Sequence, residues 1–113
     1  MAKLLHRRIA QISRKALPNE ACGFVVDGKA VALENKAENP TEAFLISAHD
    51  YLTYRSDTIF HSHPLGDHSF SEHDILVAAN MELTSYLYVV DADRLEVLSP
   101  SGDIQIFDKV LGK

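Results

Sequence analysis

The sequence predicts a single α/β (α+β) domain, residues 1–113, with a mixed β-sheet flanked by helices. Two observations predict the class. Short apolar runs with strand alternation recur from Ala21 to Asp108, and three stretches with helical spacing interrupt them. A third observation bounds the size. A chain of 113 residues, 46% apolar and 24% charged, has the composition of an ordinary globular domain. It is long enough to bury roughly two-thirds of its unfolded surface around one core.

Taken in order, residues 2–16 read as an amphipathic helix. Leu4, Leu5, Ile9, Ile12 and Ala16 fall on one face, and Pro18 stops it. The same stretch is basic and free of acids, as transit peptides are, but the apolar face favours a helix of the fold. ACGFVV (21–26) and KAVALEN (29–35) flank Asp27-Gly28, the signal of a two-residue β-hairpin. KAENPTEA is a polar connector, AFLIS (43–47) a short strand, and AHDYLTYRS (48–56) a helix. DTIFHSH (57–63) is a strand stopped by Pro64, and LGDHSF is a loop. SEHDILVAANMEL (71–83) is a helix beginning at Ser71. SYLYVVD (85–91), LEVLS (95–99) and DIQIFD (103–108) are strands, with turns at Ala92-Asp93 and Pro100-Ser101-Gly102. Repeats, linkers and low-complexity tracts are absent from the sequence.

Composition excludes several classes. Eleven Lys and Arg against sixteen Asp and Glu give a net charge of −5, and no basic run offsets it, which argues against a nucleic-acid partner. No apolar run approaches the ~20 residues of a membrane span. One cysteine, Cys22, allows no internal disulfide, so the cytoplasm is the expected compartment. Cys22 lies in an apolar strand and reads as a small buried residue rather than a nucleophile.

Chemistry concentrates in FHSHPLGDHSFSEHD (60–74), which holds four of the six histidines. In a strand, residues i and i+2 share a face, so His61 and His63 leave the sheet together and offer two nitrogens to a metal ion. Asp67, His68, His73 and Asp74 are the local candidates for a third ligand. Ser71 and Asp74 also form a capping box, S-x-x-D at a helix start. That role is compatible with a functional Ser71 hydroxyl but competes for the Asp74 carboxylate. Two histidines and one carboxylate leave a position open for water, and a general base is then required. Glu20, just before ACGFVV, is the candidate. His68 and His73 read as exposed or outer groups, and His6 and His49 as surface positions. Asp67 either orients a ligand histidine or solvates the loop. Tyr86 and Tyr88 read as packing.

His61-Ser62-His63-Pro64, followed at the family's interval by Ser71-Glu72-His73-Asp74, resembles the H-x-H-x7-S-x-x-D signature of JAMM (MPN-plus) metallopeptidases. Pro18-Asn19-Glu20-Ala21-Cys22-Gly23-Phe24 resembles the upstream part of that motif. The resemblance runs from the first helix to about Phe107. It implies a JAMM/MPN-like, cytidine deaminase-like layered fold, with Zn²⁺ held by His61, His63 and Asp74. It further implies Glu20 as general base on water and Ser71 as hydrogen-bond donor to the oxyanion. The implied activity is zinc-dependent hydrolysis of a peptide or isopeptide bond. NEACGFVV, ENKAENPTEAFLISAHDYL and IFHSHP are most similar to the JAMM domains of phage tail assembly proteins of the K type and their bacterial relatives. The partners implied are a protein or peptide substrate, such as a ubiquitin-like sulfur-carrier protein or a phage tail protein. The short loops leave little else to grip with, so the substrate is expected to bind extended beside a sheet edge. LGDHSF is too short for the clamp with which deubiquitinases grip ubiquitin.

Rival readings fit less well. HSHPLGDH resembles the H-x-H-x-D-H of metallo-β-lactamase-type hydrolases, but Asp67 stands two residues too far along. A cupin needs a second histidine motif. A non-haem iron site shares the ligand set, and Glu20 and Ser71 favour zinc hydrolysis over it. The alternative within the family is a non-catalytic JAMM-fold binding module in tail assembly or another protein complex.

Overall fold

The structure is a computed structural model and describes residues 3–112. Three helices, α1 (Leu4–Ala16), α2 (Ala48–Tyr54) and α3 (Glu72–Asn80), accompany six strands. The strands are β1 (Cys22–Val26), β2 (Lys29–Leu33), β3 (Thr58–His63), β4 (Thr84–Val89), β5 (Arg94–Leu98) and β6 (Ile104–Phe107). They form one mixed sheet in the order β2-β1-β3-β4-β5-β6, antiparallel except for the β3–β4 pair. The expected class, a mixed sheet flanked by helices, is the one observed.

Strand periodicity divides the core into two layers. On one face Phe60, Tyr88 and Leu95 pack with Ala21 under Ile9 and Ala10 of α1. On the other, Cys22, Phe24 and Ile59 pack with Ile46 and Leu83 on the side of α2 and α3. His61 and His63 follow Ile59 at i+2 spacing, so they stand on the second face. The β1–β2 hairpin turns at Asp27 and Gly28, both with positive φ (52° and 76°), as a type I′ turn requires. Gly23 lets β1 close on its neighbours: a Cβ there would lie 2.1 Å from the Val31 carbonyl oxygen and 2.5 Å from the Phe60 ring.

Three expectations need correction. AFLIS is not a strand. Its main chain bonds instead to the Asn35 side chain and to neighbouring loop backbone. Asn35 donates to the Ala43 carbonyl (2.9 Å) and accepts from Leu45 N (3.1 Å), while Lys36 N donates to Leu45 O (2.8 Å). The alternation was real, since Ile46 is buried, but a side-chain clip takes the place of a ladder. His6 is not a surface residue. It is buried against Phe107 and Tyr86 (ring centroids 4.6 and 5.9 Å apart), while Leu4, expected on the apolar face, is 75% exposed. Finally, α3 stops at Asn80, before the predicted Leu83. Leu83 N reaches Ala78 O (2.8 Å) and Glu82 N reaches Ala79 O (3.3 Å), with Glu82 at φ 54°. This is a Schellman ending with a glutamate where glycine usually stands, so the sequence carries no glycine to mark it.

Asn35 also donates to Glu20 O (3.0 Å). It therefore ties the start of β1 to the 43–45 segment. Asn35→Ala is expected to lower stability by about 1–3 kcal/mol, because it leaves several main-chain groups unpaired. Urea denaturation measures this.

Candidate metal centre

Each site residue is placed by a nearby element. His61 and His63 come from β3, and β1 lies antiparallel beside it with Cys22 opposite His61. Ser62, between the histidines, points the other way and is fully buried. Its Oγ accepts from Ala21 N (2.8 Å), and its own N donates to Ala21 O (3.1 Å). That double bond pins the residue after Glu20 to the residue between the two histidines. Glu20 N further donates to Pro40 O (2.7 Å). A long-range strand pairing thus delivers the carboxylate that sequence spacing alone could not place.

Glu20, His61 and His63 offer ligand atoms that all lie within 4.8 Å of one another. Asp74 Oδ2 approaches His61 Nε2 at 3.4 Å and His63 Nε2 at 3.7 Å. Ligand atoms held at ~2.0–2.2 Å from a tetrahedral ion stand roughly 3.3–3.6 Å from each other; the His61–Asp74 separation falls in that range and the His63–Asp74 separation lies just beyond it. The His61–Asp74 approach lacks hydrogen-bond alignment. Both ring nitrogens of His61 are buried and have no hydrogen-bond partner among the described residues, which is a costly arrangement unless something else satisfies them. The donor set and the orphaned imidazole fit a divalent metal ion.

The four groups shape one another's charge. Burial pushes the Glu20 carboxyl up to about 7, with Asp74 adding to the shift and His63 opposing it. Burial also works against ionisation of Asp74. The two facing imidazoles and the Ser71 N–H outweigh it and hold that carboxyl well below the usual range. Burial lowers His61. Burial likewise works against His63, but Asp74, the His68 carbonyl and Glu20 raise it on balance.

Asp74 does not have to choose between capping and facing the histidines. Its Oδ2 accepts from Ser71 N (3.0 Å) while Ser71 Oγ accepts from Asp74 N (3.1 Å), a complete capping box. The same Oδ2 faces both imidazoles, so one oxygen caps the helix and points toward the histidines. The Ser71 hydroxyl is used only as an acceptor among the described residues, and its proton is free to be donated into the cleft it lines.

A second ring of contacts was not legible in the sequence. His63 Nδ1 lies 2.9 Å from the His68 carbonyl. A carbonyl only accepts, so Nδ1 carries the proton, and in the neutral ring Nε2 keeps its lone pair for a metal. The loop bearing that carbonyl is strapped to the β4–β5 end of the sheet. Gly66 N donates to Asp91 (2.6 Å), Asp67 pairs with Arg94 (2.5 Å), and Ser69 donates to Glu96. Arg94 in turn pairs with Glu96 (2.8 Å). Asp67 therefore anchors the loop through Arg94, neither orienting a histidine directly nor merely solvating it. His68, His73 and His49 are exposed, as expected. Removing outer partners of a metal ligand commonly weakens metal binding 10–100-fold. Glu96 acts one step further out, through the loop that bears the His68 carbonyl, so Glu96→Ala is expected to weaken metal binding by about tenfold or less, measured by competition with a chromophoric chelator.

Phe44 stacks on His61 (centroids 4.7 Å apart, planes 24° from parallel), so the connector that replaces the expected strand forms a wall of the site. Cys22 is buried and its thiol is pushed up to about 12, chiefly by burial, which agrees with a packing role. Tyr88 is fully buried, with its hydroxyl donating to Asp93 (2.5 Å).

This fold and site define a JAB-type domain. The family model described as prokaryotic homologs of the JAB domain matches residues 2–100, and the chain belongs to that family. The solution structure of protein DSY2949 from Desulfitobacterium hafniense is similar in fold. Its TM-score is 0.67 at 22% identity, over 95% of this chain and 88% of that one. No curated protein matches the chain. No helix among the described residues is long and apolar enough to cross a membrane.

Proposed function

We propose that the chain is a zinc-dependent metallopeptidase that hydrolyses a peptide or isopeptide bond. The observation that carries this reading is the convergence of His63, Asp74 and Glu20 on a buried His61 whose ring nitrogens make no hydrogen bond among the described residues. His61, His63 and Asp74 would hold the ion, three ligands with an open position, as catalytic zinc sites have. A bound zinc ion would polarise the scissile carbonyl and acidify a water molecule.

The chain's own residues do the rest. Glu20, poised near neutrality, takes the water's proton as the oxygen attacks and passes it to the leaving amine. The free Ser71 O–H donates to the oxygen that gains charge in the transition state. Phe44 and Ile46 make no main-chain hydrogen bond among the described residues, while Ala43 and Leu45 between and beside them are bonded. That connector offers an extended substrate its main-chain partners. The histidines stand on an interior strand, so pairing at the sheet's own edges, β2 or β6, is not the mode proposed.

The test is a mixed library of extended peptides and isopeptides incubated with zinc-loaded protein. New termini that appear with zinc and vanish in chelator support the reading. An unchanged library opposes it.

A further inference from the structure

We propose that the inner half of the cleft is a pocket for an uncharged, carboxamide-tipped side chain, that of glutamine, in a residue next to the bond that is cut. The proposal rests on the peptidase reading and adds a substrate class to it.

The cleft of about 500 Å³ continues past the histidines into the fold. Along β3 the residues facing it are His63, His61 and then Ile59. Ile59 stands one i+2 step behind His61, roughly 6.6 Å. A long side chain next to a carbonyl held at the histidines reaches that far; alanine and asparagine do not. Ser85 is paired with Ile59 across the β3–β4 ladder and completes the floor. Ile46, Tyr51 of α2 and Val77 of α3 form the walls.

The end of this apolar pocket carries unspent polar groups. Ser85 is only 2% exposed, yet its hydroxyl makes no hydrogen bond among the described residues. The Tyr51 hydroxyl, in the wall, makes none either. Ser85 is buried and Tyr51 half-buried, and both line the cleft with hydroxyls that have no protein partner among the described residues, so a ligand in the cleft can satisfy both. Each hydroxyl can donate and accept, and a carboxamide supplies both complements at the tip of an apolar stem. A carboxylate would pass Glu20 and Asp74 at the mouth and then be desolvated. A cation would end among Ile59, Val77 and hydroxyls with no carboxylate on the floor.

Two measurements test this. The first is cleavage by zinc-loaded protein of peptides varied at both residues flanking the scissile bond. Glutamine at one of them is expected to exceed alanine and glutamate by about tenfold or more. Glutamine is also expected to exceed leucine, and Ser85→Val is expected to invert that order, with leucine then cut faster than glutamine. The second needs no cleavage. N-acetylglutamine amide is titrated into zinc-loaded Glu20→Gln protein, and the Ile46, Ile59 and Val77 methyl signals are followed by NMR. They are expected to shift, and not to shift with the alanine amide. Methyl shifts without any cleavage by the wild type support the pocket and defeat the peptidase reading. Cleavage indifferent to the flanking residues, with no methyl shifts, overturns the pocket and leaves the peptidase standing. Shifts with leucine amide but not glutamine amide overturn the role of the hydroxyls, and the proposal with it.

Discussion

Glu20→Gln is expected to keep the metal and to cut cleavage by about 10²–10⁴-fold, the usual contribution of a positioned acid–base group. The amide keeps the shape of the carboxylate but cannot take a proton. Glu20 is 6% exposed, and burial, reinforced by Asp74 and opposed by His63, sets its carboxyl at about 7 in the metal-free protein. A divalent ion nearby favours the charged carboxylate, so the acid limb of cleavage in the loaded enzyme should lie below 7. On that limb the rate falls about tenfold per pH unit, because the base must be unprotonated.

The same shift has a consequence for stability, with a definite sign. The folded value, about 7, exceeds the unfolded one of about 4.3, so the metal-free native state binds the proton more tightly. The stabilisation is fully present below about 4.3 and is lost as pH rises through about 7. Glu20→Gln removes this loss. It should make the metal-free protein more stable than wild type at pH 8, on the order of 2–4 kcal/mol with the upper figure reduced by solvent screening, and with little difference at pH 4. Urea titrations in chelator at the two pH values measure it. A binding module with a vestigial site would keep its partner affinity in the variant and show no cleavage in either protein.

His61→Phe is expected to abolish metal binding and, at the same time, to raise the stability of the metal-free fold by about 1–2 kcal/mol. A buried polar group without a partner costs about 1–3 kcal/mol, and both ring nitrogens of His61 are in that condition. A phenyl ring of similar size keeps the stacking on Phe44 and removes the two orphaned nitrogens. Asp74 retains His63 and the Ser71 N–H as partners. For a domain of this size, 1 kcal/mol corresponds to roughly 4–8 °C in Tm. Wild type should recover the difference when metal is added, gaining about 4 kcal/mol at a thousandfold excess over Kd, whereas the variant should gain nothing. Thermal melts of both proteins, with zinc and with chelator, give the four values. A destabilised variant in chelator would mean that the orphaned nitrogens are satisfied in solution.

What was legible in the sequence was local. The strand period put His61 and His63 on one face, and Ser71 and Asp74 marked a helix start by their spacing. Asp27-Gly28 set the hairpin. What was hidden depends on contacts between distant segments. Glu20 reaches the histidines through the pairing of β1 with β3 and the Ser62–Ala21 bonds, for which short-range spacing has no signal. AFLIS has strand alternation, but the Asn35 side chain takes up its main-chain groups, and side-chain competition of that kind leaves the pattern unchanged. His6 reads as surface because imidazole is polar; two aromatic rings, from β4 and β6, bury it against the sheet. The Arg94–Glu96 strap is invisible for the same reason: its members lie more than twenty residues from the loop they hold. The JAMM-type motif supplied the missing juxtaposition of Glu20, because its spacing encodes a three-dimensional arrangement that the residues alone do not.

The most direct test of the metal centre is elemental analysis of protein purified without a histidine tag, followed by melting with and without chelator. About one zinc per chain is expected, with a Tm several degrees lower once it is stripped. Protein that carries no zinc, and whose Tm is the same in chelator and in added zinc, would contradict that expectation.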